Sequence, residues 1–257
     1  MTLTVVVIAE DAMGAVAARE LLDRVVAEKA GIANPRLSSW RDESRRGECR
    51  VLRGLDNANT TGPQFWTEWK DLSSLARQRV HGKPGSTDPP ELRKALAAIA
   101  RLSEPPDLIL LAKDSDGDEQ HRAAMVRACE SCSWADRIVL AVAHREAEAW
   151  IVAAFTPANR EERRRLEEAK QELGFDPVER PHMLTSGRRG EMRDAKRVLA
   201  LLVEGDRRAS VSGHHERCVT CLTEAPLKDL ERRGRDTGLP EFIADVEARV
   251  IPLLETP

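Results

Sequence analysis

The sequence predicts an α/β protein: a mostly parallel sheet with helices on both faces, followed by a helical C-terminal region. Three observations predict it. A short apolar run is followed by a helical period at the start of the chain, again just past residue 107, and again past residue 137. Strands that alternate with helices build parallel sheets, because each crossover helix covers a face.

The first strand is Leu3–Ala9, a near-continuous β-branched run of the kind buried on both faces. Residues 12–30 follow with Val16, Leu21, Leu22, Val25 and Val26 on one side of a helix, which Gly31 ends. Residues 36–62 are polar and rich in Arg, Asn and Gly, with a short strand candidate in "CRVLRG". Trp66, Trp69, Leu72 and Leu75 recur at three and four, which predicts a helix over 64–80. A loop, "HGKPGSTDPP", leads to a helix begun by Asp88 and Pro89-Pro90 and running to about 102. The second strand is 107–112, with a helix over 118–132. The third, "RIVLAV", precedes the helical "AHREAEAWIVAAF". Charged helical patterns then occupy 159–173, 191–204, about 216–233 and 239–254. The expected organisation is an α/β core over 1–155, with an insertion at about 32–105, and a helical region over 156–257 packed on it.

An apolar fraction of 41% suffices for a core. Forty basic residues against 43 acidic leave a net charge of −3, so any face for a polyanion must be local. With no Tyr and four Phe, an aromatic platform for stacked bases is not expected. No apolar run approaches the roughly 20 residues that span a bilayer. The start, "MTLTVVVIAEDAMG", lacks a basic leader and reads as a strand, so a cytoplasmic location is expected. Cys129/Cys132 and Cys218/Cys221 form two C-x-x-C pairs, with His214 and His215 before the second. Zinc sites usually separate such pairs by about 15–20 residues. The far longer gap favours ordinary helix cysteines, with a structural zinc as the lesser alternative.

The chemistry concentrates in "DLILLAKDSDGDEQHR", where an apolar strand stops at Asp114, Asp116 and Asp118. Ligands of open parallel sheets bind outside the carboxyl ends of the strands. There the first strand brings Glu10, the second brings Asp114, Asp116 and Asp118, and the third brings Glu146 and Glu148. Clustered carboxylates repel unless a counter-charge joins them. Hard oxygen donors suit Mg²⁺ or Mn²⁺. Each acid also has a plainer reading: Glu10 as a solvated loop residue, and the others as helix caps or first-turn acids favoured by the helix dipole. A calcium EF-hand loop fails, because Gly117 falls at position four and Met125 at position twelve. The Asp-x-Asp-Gly motif of haloacid-dehalogenase phosphatases usually opens its fold, whereas more than 100 residues precede it here; that reading stays a minor alternative.

Glu10 after a first strand, a long insertion and Asp114-x-Asp116 after a later strand together resemble a Toprim domain. That Toprim/Rossmann-like fold is shared by topoisomerases, primases and OLD-like nucleases. "AHREAEAWIVAAF" and "GLPEFIADVEARVIPLL" resemble segments of small bacterial Toprim-like proteins of uncharacterised function. The family usually has Gly directly after its glutamate; this chain has Asp11, with Gly14 three residues on. The resemblance implies a Mg²⁺- or Mn²⁺-dependent nuclease. Asp114 and Asp116 would serve as metal ligands, Glu10 as a ligand or general acid/base, and Glu148, with Glu146 close by, as the acid of a second metal site. Phosphate contacts would fall to Arg41, Arg45 and Arg46 in the insertion and to Arg188, Arg189, Arg193 and Lys196, although with acids interleaved throughout such clusters are more often solvated helix faces. His121 and His144 flank the acids. OLD-like Toprim domains commonly work with an ATPase in defence against phage. No Gly-x-x-x-x-Gly-Lys-Ser/Thr loop is present, so any ATPase would be a separate subunit. The rival class is a non-catalytic Toprim-like interaction or regulatory subunit.

Overall fold

A computed structural model describes residues 5–9, 12–30, 106–187, 191–205, 211 and 216–255. The expected insertion at about 32–105, with its strand and two helices, lies outside the described residues. So do Glu10, Asp11, Arg41, Arg45, Arg46, Arg188, Arg189, His214 and His215.

The described strands are β1 (Val5–Ala9), β2 (Leu108–Asp114) and β3 (Ile138–Ala143). They form a sheet of order β1-β2-β3, parallel throughout, with Ala9 beside Ala112 and Asp114 beside Ala143. The helices are α1 (Ala12–Lys29), α2 (Glu119–Glu130), α3 (Ala147–Ala154), α4 (Arg160–Leu173), α5 (Ala195–Glu204), α6 (Glu216–Glu224), α7 (Leu227–Arg233), α8 (Leu239–Arg249) and α9 (Ile251–Glu255).

The period-two alternation of a strand sorts the sheet into two apolar layers. Leu108, Leu110, Ala112, Val139 and Ala141 join Val7 and Ala9 in a large core with α1, α3 and the helices of the C-terminal region. Ile109, Leu111, Ile138 and Val142 face the other way, onto Met125, Ala128 and Cys129 of α2. Helices therefore lie on both faces of this sheet. Helix α1 is buried almost all round, because it contacts β2 and also α3, α6 and α8.

The free edge of β3 is closed by the C-terminal region. Leu140 N donates to Asp245 Oδ2 (3.0 Å) and His144 N to Thr237 O (2.8 Å). Gly238, at φ +84°, lies against the Val142 carbonyl. Thr237 O also accepts from Trp150 Nε1 at 2.8 Å, and Trp150 stacks on Phe242 at 5.5 Å. The tryptophan of the "EAEAW" segment thus ties α3 to the start of α8.

Three helix limits differ from the sequence reading. The helix expected over 216–233 is two, α6 and α7, because Pro226 has extended backbone (ψ 133°) and no N–H to carry the ladder through. Helix α5 starts at Ala195, four residues later than expected, where the Asp194 side chain accepts from Lys196 N. The helix over 239–254 is divided at Val250 into α8 and α9.

Candidate functional site: the acidic edge of the sheet

Parallel pairing of β2 and β3 carries their carboxyl ends to one edge of the sheet. Asp114 is the last residue of β2, and its Oδ1 accepts from Ala147 N, the first residue of α3, at 3.0 Å. Asp114 thereby performs the cap that α3's own N-cap residue, Glu146, does not: Glu146 makes no side-chain cap bond. Glu146 instead accepts from Lys196 Nζ at 2.8 Å. Its other oxygen, Oε2, is buried and accepts no hydrogen bond among the described residues. Glu148, in the first turn of α3, is also buried.

Electrostatics agree with the geometry. Burial pushes the Glu146 carboxyl up; Lys196 opposes that rise, while the charges of Asp194 and Asp116 add to it. Burial acts to lower the Lys196 ammonium but is outweighed by the bond to Glu146 and by the charges of Glu148 and Asp114, so Lys196 titrates above its ordinary value. Lys196 is thus the cation of this acidic edge. Asp194 fixes the start of α5, and a bridge between Thr185 and Asp194, with Ala195 N donating to Thr185 O (3.1 Å), holds the segment before it.

The other acids separate from this group. Asp116 is exposed in a left-handed turn (φ 52°), and its N–H donates to Arg145 O at 3.2 Å. Asp118 is the N-cap of α2, its Oδ1 accepting from Gln120 N (2.8 Å) and His121 N (3.0 Å). His144 bridges the loop, with Nδ1 3.4 Å from Ser115 Oγ and Nε2 3.3 Å from Glu119 Oε1. Arg193, one of the arginines expected to bind nucleic acid, is exposed with its guanidinium 5.6 Å from the Phe175 ring.

Among the described residues, no three His, Cys, Asp or Glu side chains stand together as a group that could hold a metal ion. The donor chemistry itself suits a hard cation: the acids offer carboxylate oxygens, one of them, Glu146 Oε2, buried and unengaged. Glu10, the acid expected at the end of the first strand, follows Ala9 of the neighbouring strand and lies outside the described residues.

The cysteine pairs lie on opposite faces of the sheet. Cys129 packs beneath Ile109 and Leu111 with Cys132 at its margin, whereas Cys218 and Cys221 belong to the other core. One four-cysteine zinc site is therefore not formed. Burial pushes the thiols of Cys129 and Cys218 up to about 12 and that of Cys221 to about 11.

Sequence reasoning missed two features. Charge pattern groups Lys196 with the phosphate-binding arginines, yet it stands on Glu146, and only the capped turn "DAK" hints that its backbone is fixed. Arg145 carries no motif in the sequence, although it lies between the end of β3 and the buried Glu146. No protein-family model matches the chain, and no curated protein or solved structure matches it either. Fold and site together define an α/β protein with parallel strands and an acidic strand-end group countered by a lysine.

Proposed function

We propose that the chain is a Mg²⁺- or Mn²⁺-dependent phosphodiesterase of Toprim type, a nuclease acting in bacterial antiviral defence beside a separate ATPase subunit. The observation that carries this reading is Asp114, at the carboxyl end of β2, capping the helix whose first turn brings Glu146 and Glu148, with Lys196 within reach of the charge of all three. Asp114 and Asp116 would hold the main ion, while Glu10 and Glu148, with Glu146 close by, would hold a second ion or move a proton. When bound, such ions activate water and offset charge on the leaving oxygen. Lys196 opposes the rise that burial imposes on the Glu146 carboxyl. Arg45, Arg46, Arg188, Arg189 and Arg193 would neutralise the nucleic-acid backbone.

A second reading, the non-catalytic interaction subunit, is favoured by one observation: Glu146 already has a cation in Lys196. Calorimetric titration with Mn²⁺ separates the two. Saturable binding that Asp114→Asn/Asp116→Asn abolishes supports the catalytic reading; no binding by the wild type favours the interaction subunit.

A further inference from the structure

We infer that Arg145 is a phosphate-binding residue of the acidic edge, its guanidinium placed to grip one phosphate of a nucleic-acid strand or a pyrophosphate. The inference rests on the phosphodiesterase reading and deepens it. Arg145 lies between β3 and Glu146, and its carbonyl accepts from Asp116 N (3.2 Å). Its Nη1 is 3.4 Å from where a Cβ on Gly117 would stand, so the guanidinium end lies over the glycine of the aspartate loop. Only Nε is engaged, donating to His182 O at 3.3 Å, and among the described residues Arg145 forms no ion pair. Most other half-buried arginines of the fold are matched to a carboxylate, such as Arg197 with Glu172 and Arg217 with Glu162.

The backbone adds a further observation. Arg145 also has φ 132°, a backbone region that costs any residue but glycine. Glycine at this position would relieve that backbone cost but would remove the guanidinium from the aspartate loop. A planar guanidinium with two free Nη groups matches two phosphate oxygens at once, which a lysine does not.

The test measures binding of a short DNA strand, its RNA counterpart and inorganic pyrophosphate to the full chain in Mg²⁺, with strand cleavage followed in parallel. Arg145→Gln should weaken binding by about 10- to 100-fold for the preferred probe. It should also flatten the dependence of log K on log salt by about 0.7–0.9, the signature of one lost phosphate contact. Arg145→Lys should restore the slope but not the full affinity. Arg145→Gly should fold at least as stably as the wild type, because the strain is gone, and still bind weakly. If the wild type binds and cuts while Arg145→Gln and Arg145→Gly keep its affinity and salt slope, the inference is overturned and the nuclease reading stands. Weakened binding without any cutting by the wild type supports the inference and removes the nuclease. A wild type that binds none of the probes overturns both.

Discussion

Lys196 Nζ donates to Glu146 Oε1 at 2.8 Å across fifty residues of chain, joining the start of α5 to the start of α3. Removing one partner of such a pair leaves a buried charge exposed to its own desolvation cost. Lys196→Met should therefore destabilise the fold by about 1–2 kcal/mol, below the range for sealed pairs because the lysine side chain is 43% exposed. Combined with Glu146→Gln, the loss should shrink. Denaturant unfolding of the double-mutant cycle checks this; strictly additive losses would show that the two do not act as a pair.

A second buried pair governs acid stability. Glu162 accepts from Arg217 Nε (2.9 Å), Arg217 Nη2 (2.8 Å) and Ala158 N (2.7 Å), tying α4 to α6. Burial acts to raise the Glu162 carboxyl but is outweighed by Arg217 and the Ala158 N–H, so the folded state holds it below the ordinary range. The unfolded chain therefore takes the proton first as pH falls. The pair's contribution is complete above the unfolded value of about 4.3 and drains as pH drops through the folded one. Arg217→Met should cost about 3 kcal/mol at neutral pH. Glu162→Gln should lose stability at neutral pH yet decline less steeply than the wild type below about pH 4. Thermal melts across pH 3–7 read both effects.

Gly238 closes β3 from the side. Its φ of +84° disfavours any other residue, and an added Cβ would collide with the Val142 carbonyl oxygen, which is backbone and cannot swing away. Gly238→Ala should cost about 2–4 kcal/mol by chemical denaturation. Gly174→Ala is the comparison, with φ +76° but nothing within 4 Å, and should cost about 1 kcal/mol. Equal losses would refute the steric account.

The cysteines should behave as core residues. With thiols raised to between about 11 and 12, Cys129, Cys218 and Cys221 should resist iodoacetamide until the protein unfolds. Zinc should leave the melting temperature unchanged, since the two pairs lie on opposite faces of the sheet. Stoichiometric zinc with a raised Tm would contradict this.

Much of the fold was legible because burial on both faces leaves a sequence signal. The β-branched run ending at Ala9 and the apolar runs ending near Ala112 and Val142 can only be buried strands, and the helices between them dictate parallel pairing. Side-chain roles at the strand ends were less legible. Three aspartates spaced by two look alike in sequence, yet one caps the neighbouring α3, one sits in a left-handed turn and one caps α2. Capping is a local backbone event, so its sequence signal belongs to the helix a residue precedes; Asp114 caps a helix 33 positions away. The Lys196–Glu146 pair is equally nonlocal. Charge alternation labels Lys196 as surface, and only the packing of α5 against α3 reveals its partner.

The central claim is tested most directly by incubating the purified chain with plasmid, linear DNA and RNA in Mg²⁺ and in Mn²⁺, beside Asp114→Asn/Asp116→Asn. The account predicts strand cleavage by the wild type that chelation stops and that the folded double variant lacks. Metal saturation of the wild type with no cleavage of any substrate, or cleavage that persists in the double variant, would contradict it.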